Sequence, residues 1–329
     1  MGGVFLAELL KVEGLRTSFQ TEDGPVHAVN GIDLCLNEGE TLGLVGESGC
    51  GKSVTALSIM RLIAEPPGKV EARELSLSGK DLLGMPKREM RFIRGREVSM
   101  IFQEPMTSLD PVFSVGAQVT ETIRLHQNVG KKEAEELAAE MLAKVGIPSP
   151  EKCLTDYPHQ LSGGMRQRVM IAMALSCQPR LLIADEPTTA LDVTIQAQIL
   201  ELIDELREEL NMALIMITHD LGVIANTVDQ VAVMYCGKIV EQADVYTLFE
   251  NLMHPYTKGL MASLPKLHTE TERLFTIPGT IPDPLHMPFG CNFHPRCPDA
   301  LEICLQREPR PVEISPGHVV SCWKVSDML

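Results

Sequence analysis

Residues 46–53 read Gly46-Glu47-Ser48-Gly49-Cys50-Gly51-Lys52-Ser53, and they are the strongest indicator of the fold of the chain. It matches the phosphate-loop pattern G-x-x-x-x-G-K-[ST] and stands between an apolar run, Thr41–Val45, and a helical pattern from Val54 to Ile63. Glycines let backbone N–H groups curl around phosphates, Lys52 reaches the terminal phosphates, and Ser53 offers a hydroxyl to Mg²⁺. The sequence therefore predicts a nucleotide site formed by residues 46–54.

A second stretch, Leu181-Leu182-Ile183-Ala184-Asp185-Glu186-Pro187, predicts a buried parallel strand that ends in two carboxylates. Open α/β sheets bind their ligands at the carboxyl ends of such strands. We predict that Asp185 holds Mg²⁺, directly or through water. Glu186 points elsewhere, so it can reach the water that attacks the γ-phosphate, as its base or as the group that positions it.

With these two stretches the chain resembles the ATP-binding-cassette (ABC) ATPases, over about its first 260 residues. The remaining motifs follow in the order and spacing of that family. They are the Gln loop Ile101-Phe102-Gln103-Glu104-Pro105, the signature Leu161-Ser162-Gly163-Gly164-Met165-Arg166-Gln167, the Asp loop Ala190-Leu191-Asp192 and the switch loop Ile217-Thr218-His219-Asp220.

The resemblance implies a head-to-tail sandwich of two nucleotide domains, with ATP held between one phosphate loop and the partner's signature. Ser162, Gly163 and Gly164 would therefore act in trans, and Asp192 would belong to the nucleotide site. Ser162 is expected to N-cap a helix from about Gly164 to Cys177, whose positive end faces the γ-phosphate. The resemblance also implies that His219 contacts the γ-phosphate, and that Gln103 bridges Mg²⁺ and the surface gripped by a membrane partner.

One position departs from the family pattern. Many members place an aromatic residue under the adenine, just before the glycine that precedes the second strand, and this chain has Asp23 before Gly24. Phe19 and His27 are the nearby candidates for contacting the base. We therefore predict weak base selectivity with GTP tolerated, which competition binding of ATP against GTP tests.

The predicted fold class is α/β, with a P-loop NTPase core, an antiparallel β subdomain at residues 8–40 and an α-helical subdomain carrying the signature at about 110–165. On the helical subdomain, Glu140 is expected to pair with Lys144 four residues on. The predicted ABC nucleotide-binding domain covers residues 1–264. An irregular, Cys-rich extension covers residues 265–329, where repeated prolines disfavour helices.

Composition limits the partners and the location. The chain has 29 basic and 44 acidic residues, a net charge of −15 that argues against duplex nucleic acid as a main partner. No apolar run approaches the roughly 18 residues of a membrane span. The first residues, Met1 to Lys11, lack the basic region and cleavage site of a signal peptide. We expect a peripheral protein at the cytoplasmic face of the cell membrane.

Four of the nine cysteines cluster near the C-terminus as C-x5-C-x6-C-x17-C, namely Cys291, Cys297, Cys304 and Cys322. In a cytosolic chain this clustering suggests a metal more than disulfides. Zinc ribbons and simple ferredoxins usually carry C-x2-C pairs, which are missing from this cluster. Spacing alone therefore leaves an iron–sulfur cluster, zinc and no metal open.

The C-terminal stretches Pro278-Gly279, Gly290 to Pro298 and Ser321-Cys322-Trp323 look like the extension of oligopeptide and dipeptide importer ATPases. Some members of that group hold a [4Fe–4S] cluster on four such cysteines, which favours the cluster, in a structural role, over zinc. The resemblance implies a D-type ATPase subunit that pairs with an F-type ATPase subunit under two membrane permeases. An extracytoplasmic peptide-binding protein would supply di- or oligopeptides to them.

Three other functions stay open from the sequence. A soluble ABC ATPase of repair or translation would work without permeases, although such proteins commonly carry a long coiled-coil insertion or two cassettes. An importer ATPase could serve nickel or another non-peptide cargo, since the permeases and the binding protein choose the cargo. A redox sensor would use the cluster to gate ATP hydrolysis.

Overall fold

The computed structural model describes residues 7–104, 108–189, 191–264 and 275–326. The chain forms two compact units. Among the described residues, the first unit contains residues 37–40 and 84–215 together with residue 7, and the second contains residues 8–36, 41–83 and 216–326. Residues 105–107 of the Gln-loop region and Ala190 of the Asp loop lie outside the described residues, as do residues 265–274 at the predicted domain boundary.

The second unit begins with an antiparallel sheet that confirms the prediction for residues 8–40. Strand β1 pairs with β5 through Leu10↔Leu77 and with β4 through Thr17↔Val70. The sheet order is β2-β1-β5-β6, with β4 also on β1. Its strands are β1 (Glu8–Thr21), β2 (Gly24–Asn37), β4 (Gly68–Glu71), β5 (Glu74–Leu77) and β6 (Lys80–Asp81).

A second set of strands in the same unit carries the phosphate loop. Strand β3 (Thr41–Val45) is entirely buried and pairs in parallel with β10 (Gln230–Tyr235). Strand β10 continues through a tight turn into the antiparallel β11 (Lys238–Asp244). Strands β13 (His318–Val320) and β12 (Val312–Ser315) then extend the order to β12-β13-β11-β10-β3. The C-terminal extension therefore contributes strands to the sheet that carries the phosphate loop.

The helices of the second unit are short. Helix α1 follows the phosphate loop but stops at Ile59, so the predicted end at Ile63 is wrong. The reason is local, since Arg61 adopts a left-handed backbone with φ of 51° that a helix cannot continue. The helices are α1 (Lys52–Ile59), α8 (Leu221–Thr227), α9 (Val245–Glu250), α10 (Pro255–Ala262) and α11 (Trp323–Ser326), with 3₁₀ turns at His294–Arg296 and Glu302–Leu305.

The first unit contains two parallel strands and most of the longer helices. Strand β7 (Val98–Ile101) pairs with β8 (Leu181–Asp185) from Val98↔Leu181 to Ile101↔Ala184, and both are buried because apolar residues fill them. Strand β9 (Ala213–Thr218) includes the point where the chain passes to the second unit. The helices are α2 (Lys87–Ile93), α3 (Val115–His126), α4 (Lys131–Lys144), α5 (Pro150–Cys153), α6 (Gly163–Leu175) and α7 (Val193–Leu210), with a 3₁₀ turn at Pro158–Gln160.

Two expectations for the helical region need correction. Helix α6 runs from Gly163 to Leu175, so it begins one residue earlier and ends two residues earlier than predicted. The left-handed backbone of Gln178, with φ of 49°, does not allow the helix to continue. Lys144 forms its ion pair with Glu209 of α7, at 2.5 Å, rather than with Glu140. The tertiary neighbour supplies a carboxylate at closer range than the helix itself does.

Candidate active site

The phosphate loop lies between β3 and α1 in the second unit, where glycine is required at both of its ends. Gly46 has φ of 156°, and a Cβ atom there would stand 2.2 Å from the carbonyl oxygen of Met234. Gly51 has φ of 108°, and its Cβ atom would stand 2.4 Å from the carbonyl oxygen of Ala28. A larger residue at either position would clash with these carbonyls and push the loop away from β10 and β2. Glycine therefore allows the loop backbone to pack closely against both strands.

The side chain of Lys52 lies inside the curve of the phosphate loop. The ammonium of Lys52 donates to the carbonyls of Gly46 at 2.8 Å and Glu47 at 3.2 Å, and the side chain is buried. On the other side, the N–H of Gly237 donates to the carbonyl of Cys50 at 2.8 Å. A buried positive charge inside a curve of backbone and at the start of a helix is an arrangement that receives anionic phosphates.

Sequence reasoning missed two residues that hold this loop. Arg296 of the C-terminal extension makes a two-pronged ion pair with Glu47, and the hydroxyl of Tyr256 accepts the Glu47 backbone N–H at 2.9 Å. A signal for Arg296 existed, since an acidic residue inside a phosphate-binding loop calls for a nearby cation. The sequence could not say which of its 29 basic residues supplies it.

The two predicted carboxylates lie at the end of β8 in the first unit. Asp185 is buried, and Glu186 follows it with a left-handed backbone, φ of 45°. The Glu186 carboxylate accepts hydrogen bonds from Gln103 Nε2 at 3.2 Å and Thr189 Oγ1 at 3.0 Å, both to Oε2. The structure thus brings Gln103 and Glu186 together.

The signature segment opens helix α6 of the first unit. Ser162 is the N-cap, and its hydroxyl accepts the N–H of Met165 at 3.3 Å, which confirms the predicted capping. Ser162 and Gly163 are exposed. The amide of Gln167 donates to the carbonyl of Pro187 at 2.5 Å in a buried position, which ties α6 to the turn that carries Glu186. The helix start is therefore fixed on the same scaffold as the carboxylates.

The remaining candidates are His219 and Asp192, at the ends of secondary-structure elements, and Phe19 and His27, within strands. His219 is exposed directly after β9, and the neighbouring Asp220 caps α8 by accepting the N–H of Gly222 at 2.7 Å. Asp192 is exposed at the N-terminus of α7. Of the two candidates for contacting the base, Phe19 is half-buried on β1, whereas His27 is exposed on β2.

The fold gathers the four clustered cysteines in the second unit. The N–H of Cys291 donates to the carbonyl of Cys304 at 2.8 Å, and the four are thiols with no disulfide among them. Burial raises the pKa of the Cys291 thiol to about 11, and the charges of the other three thiols add to the rise. Among the described residues, no group of three or more His, Cys, Asp or Glu is placed to hold a metal ion.

The comparisons with known proteins cover both parts of the chain. The profile of the ABC transporter family matches residues 29–189, and that of the oligopeptide/dipeptide transporter C-terminal region matches residues 240–304. The oligopeptide transport ATP-binding protein AppD of Bacillus subtilis is 50% identical over 97% of this chain and 97% of its own length. OppD of Escherichia coli is 50% identical over 96% of this chain and 93% of its own.

Solved structures support the same fold. A dimeric ATP-binding cassette in a post-hydrolysis state, bound to ADP and Pi, is 25% identical with a TM-score of 0.63, over 72% of this chain and 99% of its own. CbiO1 from Clostridium perfringens is 28% identical with a TM-score of 0.61, over 74% of this chain and 91% of its own. Within the described part of this chain, no helix has both the length and the apolar character to cross a membrane.

Proposed function

The chain belongs to the family of oligopeptide transport ATP-binding proteins, an ABC ATPase family, and we propose that it hydrolyses ATP to power the import of di- or oligopeptides across the cytoplasmic membrane. The observation that carries the proposal is the match of the C-terminal region to the peptide-transporter extension, because the ATPase core alone is common to transporters of many cargoes. Neither a repair or translation ATPase nor a nickel importer is favoured by that match.

In the proposed site, residues 46–54 hold the phosphates, and Ser53, Asp185 and Gln103 hold Mg²⁺. Their hydroxyl, carboxylate and amide oxygens are the hard ligands that this ion prefers, and Asp185 is a buried carboxylate at a strand end. When bound, Mg²⁺ neutralises charge on the β- and γ-phosphates. Glu186 then acts on the attacking water, while Gln103 and Thr189 hold its carboxylate in place.

The signature is proposed to complete the site of a partner ATPase subunit. Ser162, Gly163 and Gly164 present the N-terminal N–H groups of α6 on an exposed surface, which suits contact with a phosphate held by another chain. Asp192 and His219 are proposed to contact the nucleotide site and the γ-phosphate. The partner would be an F-type ATPase subunit, and both subunits would bind peripherally to two permeases. An extracytoplasmic peptide-binding protein would deliver peptides to these permeases.

We further propose that Cys291, Cys297, Cys304 and Cys322 hold a [4Fe–4S] cluster in a structural role. Four thiolates are the usual ligand set of such a cluster. The charges of Cys297, Cys304 and Cys322 contribute to the raised pKa of Cys291, which supports the proximity of the four thiols. Zinc is the alternative occupant of the site. The proposed division at residue 264 separates this extension from the nucleotide-binding domain.

Reconstitution tests the proposed transport function directly. The chain would be purified with its F-type partner and the permeases, placed in lipid vesicles, and supplied with peptide-binding protein and labelled tripeptide. We expect uptake that requires ATP and that Lys52→Ala abolishes. ATP-dependent uptake of nickel without peptide uptake would contradict the assigned cargo, and ATP hydrolysis that ignores the permeases would favour a soluble ATPase.

A further inference from the structure

Arg296 connects the C-terminal extension to the phosphate loop within the second unit. Its guanidinium faces the Glu47 carboxylate with both ends, Nη1 to Oε2 at 2.7 Å and Nη2 to Oε1 at 3.0 Å. The Arg296 side chain is 4% exposed and that of Glu47 is 25% exposed. Two parallel charge-assisted hydrogen bonds away from water make a strong and directional contact.

The remaining donors of Arg296 are used on two carbonyls of the extension and on Tyr235 of β10. Nε donates to the carbonyl of Pro278 at 3.1 Å, Nη2 to that of Ile277 at 3.4 Å, and Nη1 approaches the hydroxyl of Tyr235 at 3.5 Å. The guanidinium also lies over the Tyr235 ring, 5.8 Å from its centroid. Because these groups surround the guanidinium, the arginine has little freedom to turn away from Glu47.

A second contact holds the Glu47 backbone. The Tyr256 hydroxyl accepts the Glu47 N–H, and the Tyr256 ring packs against Tyr235 and Phe293 with centroids 4.6 Å and 5.4 Å apart. Phe293 belongs to the Cys-rich extension, three residues before Arg296. The extension therefore restrains the same loop residue through its side chain and, by way of Tyr256, through its backbone.

The charge of Glu47 explains why this restraint matters for function. A carboxylate inside a loop that binds polyphosphate repels the ligand and can attract Lys52 away from it. We propose that Arg296 is a positioning residue for the nucleotide, which neutralises and orients Glu47 so that the C-terminal extension sets the affinity of the phosphate loop. The inference rests on the proposed nucleotide-binding function of that loop.

The test compares single and double variants. Arg296→Met removes the cation and keeps a long apolar side chain, whereas Glu47→Gln removes the carboxylate charge. The full-length protein and its variants would be titrated with Mg-ATP and Mg-ADP, and KM and kcat would be measured in the assembled transporter. Thermal unfolding without nucleotide separates loss of folding from loss of binding. Lys324→Met is the matched control, because it removes an exposed ion pair of the same extension, with Asp299 at 2.9 Å.

For Arg296→Met we expect a rise in Kd and KM of roughly ten- to a hundredfold with a smaller change in kcat, because the loop is misplaced and the Glu47 charge uncompensated. The loss should shrink at high salt, because screening weakens the repulsion. Adding Glu47→Gln to Arg296→Met should restore most of the affinity, and Lys324→Met should leave it unchanged. Arg296→Lys keeps the charge but not the two-pronged geometry, so its affinity for nucleotide should lie between those of the parent and Arg296→Met. This variant also provides the test if Arg296→Met does not fold.

Two results would overturn the inference. The first is a folded Arg296→Met or Arg296→Lys protein that binds nucleotide as the parent does. The second is a loss of affinity that Glu47→Gln fails to restore, which would make Arg296 a purely structural support. Failure of the parent itself to bind Mg-ATP would instead remove the proposed function, so the two failures are told apart by the parent titration.

Discussion

The side-chain amide of Gln103 donates a hydrogen bond to the carboxylate of Glu186, with 3.2 Å between Nε2 and Oε2. Two motifs that are 83 residues apart in sequence thus meet in the first unit. Glu186 adopts a left-handed backbone, a strained conformation for a residue with a side chain. The hydrogen bonds from Gln103 and Thr189 hold the carboxylate of Glu186 in one orientation.

Glu186→Gln is expected to retain ATP binding and to lose turnover. The amide matches the shape of the carboxylate but cannot accept a proton from water, so we expect kcat to fall by roughly 10²- to 10⁴-fold. Single-turnover hydrolysis and equilibrium binding of Mg-ATP in the reconstituted complex measure the two effects. Glu201→Gln, on the exposed side of α7, is the control. Unchanged turnover in Glu186→Gln would refute the role of this carboxylate.

Gln167→Leu is expected to lower the free energy of unfolding by about 1–3 kcal/mol, because it leaves the buried carbonyl of Pro187 without its hydrogen bond. Urea unfolding of the parent and the variant measures the difference. Gln196→Leu is the matched control, since Gln196 donates to the adjacent carbonyl of Thr188 at 3.1 Å from a less buried position. An equal decrease in the free energy of unfolding in the two variants would show that the burial of Gln167 does not add to the stability contributed by its hydrogen bond.

His254 is expected to make the fold sensitive to acid. Burial lowers its pKa from 6.5 to about 3, with Lys258 adding to the effect, so the unfolded chain binds a proton that the folded chain excludes. The stability should therefore be complete above about pH 6.5 and fall by up to roughly 1.4 kcal/mol per pH unit below it. His254→Asn retains an acceptor for the N–H of Tyr256 but cannot titrate. Urea midpoints from pH 7 to pH 5 should decline less in this variant, and equal slopes would contradict the assignment.

The cysteine cluster is testable by metal analysis after purification without oxygen. A [4Fe–4S] cluster predicts about four iron and four acid-labile sulfide per chain, with visible absorption that Cys297→Ser abolishes. Cys35→Ser, at an exposed cysteine outside the cluster, should retain both. About one zinc, or no metal, would leave the ATPase assignment intact and would disprove the cluster.

Local motifs were enough to predict much of the fold and the site. The phosphate loop, the Asp185–Glu186 strand end and the Ser162 cap each depend on residues that are neighbours in sequence, so pattern and chemistry identify them. Helix ends were less predictable, because the left-handed backbones of Arg61 and Gln178 determine them and hydrophobic periodicity does not encode such backbone angles. Lys144 forms its ion pair with Glu209 rather than Glu140, because the folded chain brings the carboxylate of Glu209 closer than that of the helical neighbour.

Short motifs alone identify this chain as an α/β nucleotide-binding protein with a Cys-rich extension, because phosphate binding and strand–turn–helix geometry require particular residues at fixed short spacings. The contact of Gln103 with Glu186, and that of Arg296 with Glu47, 249 residues away in the sequence, became visible in the folded chain alone. Such contacts depend on how distant segments pack. A partly buried carboxylate such as that of Glu47 is stabilised by a cation at hydrogen-bonding distance, but the packing of the folded chain determines which segment supplies this cation.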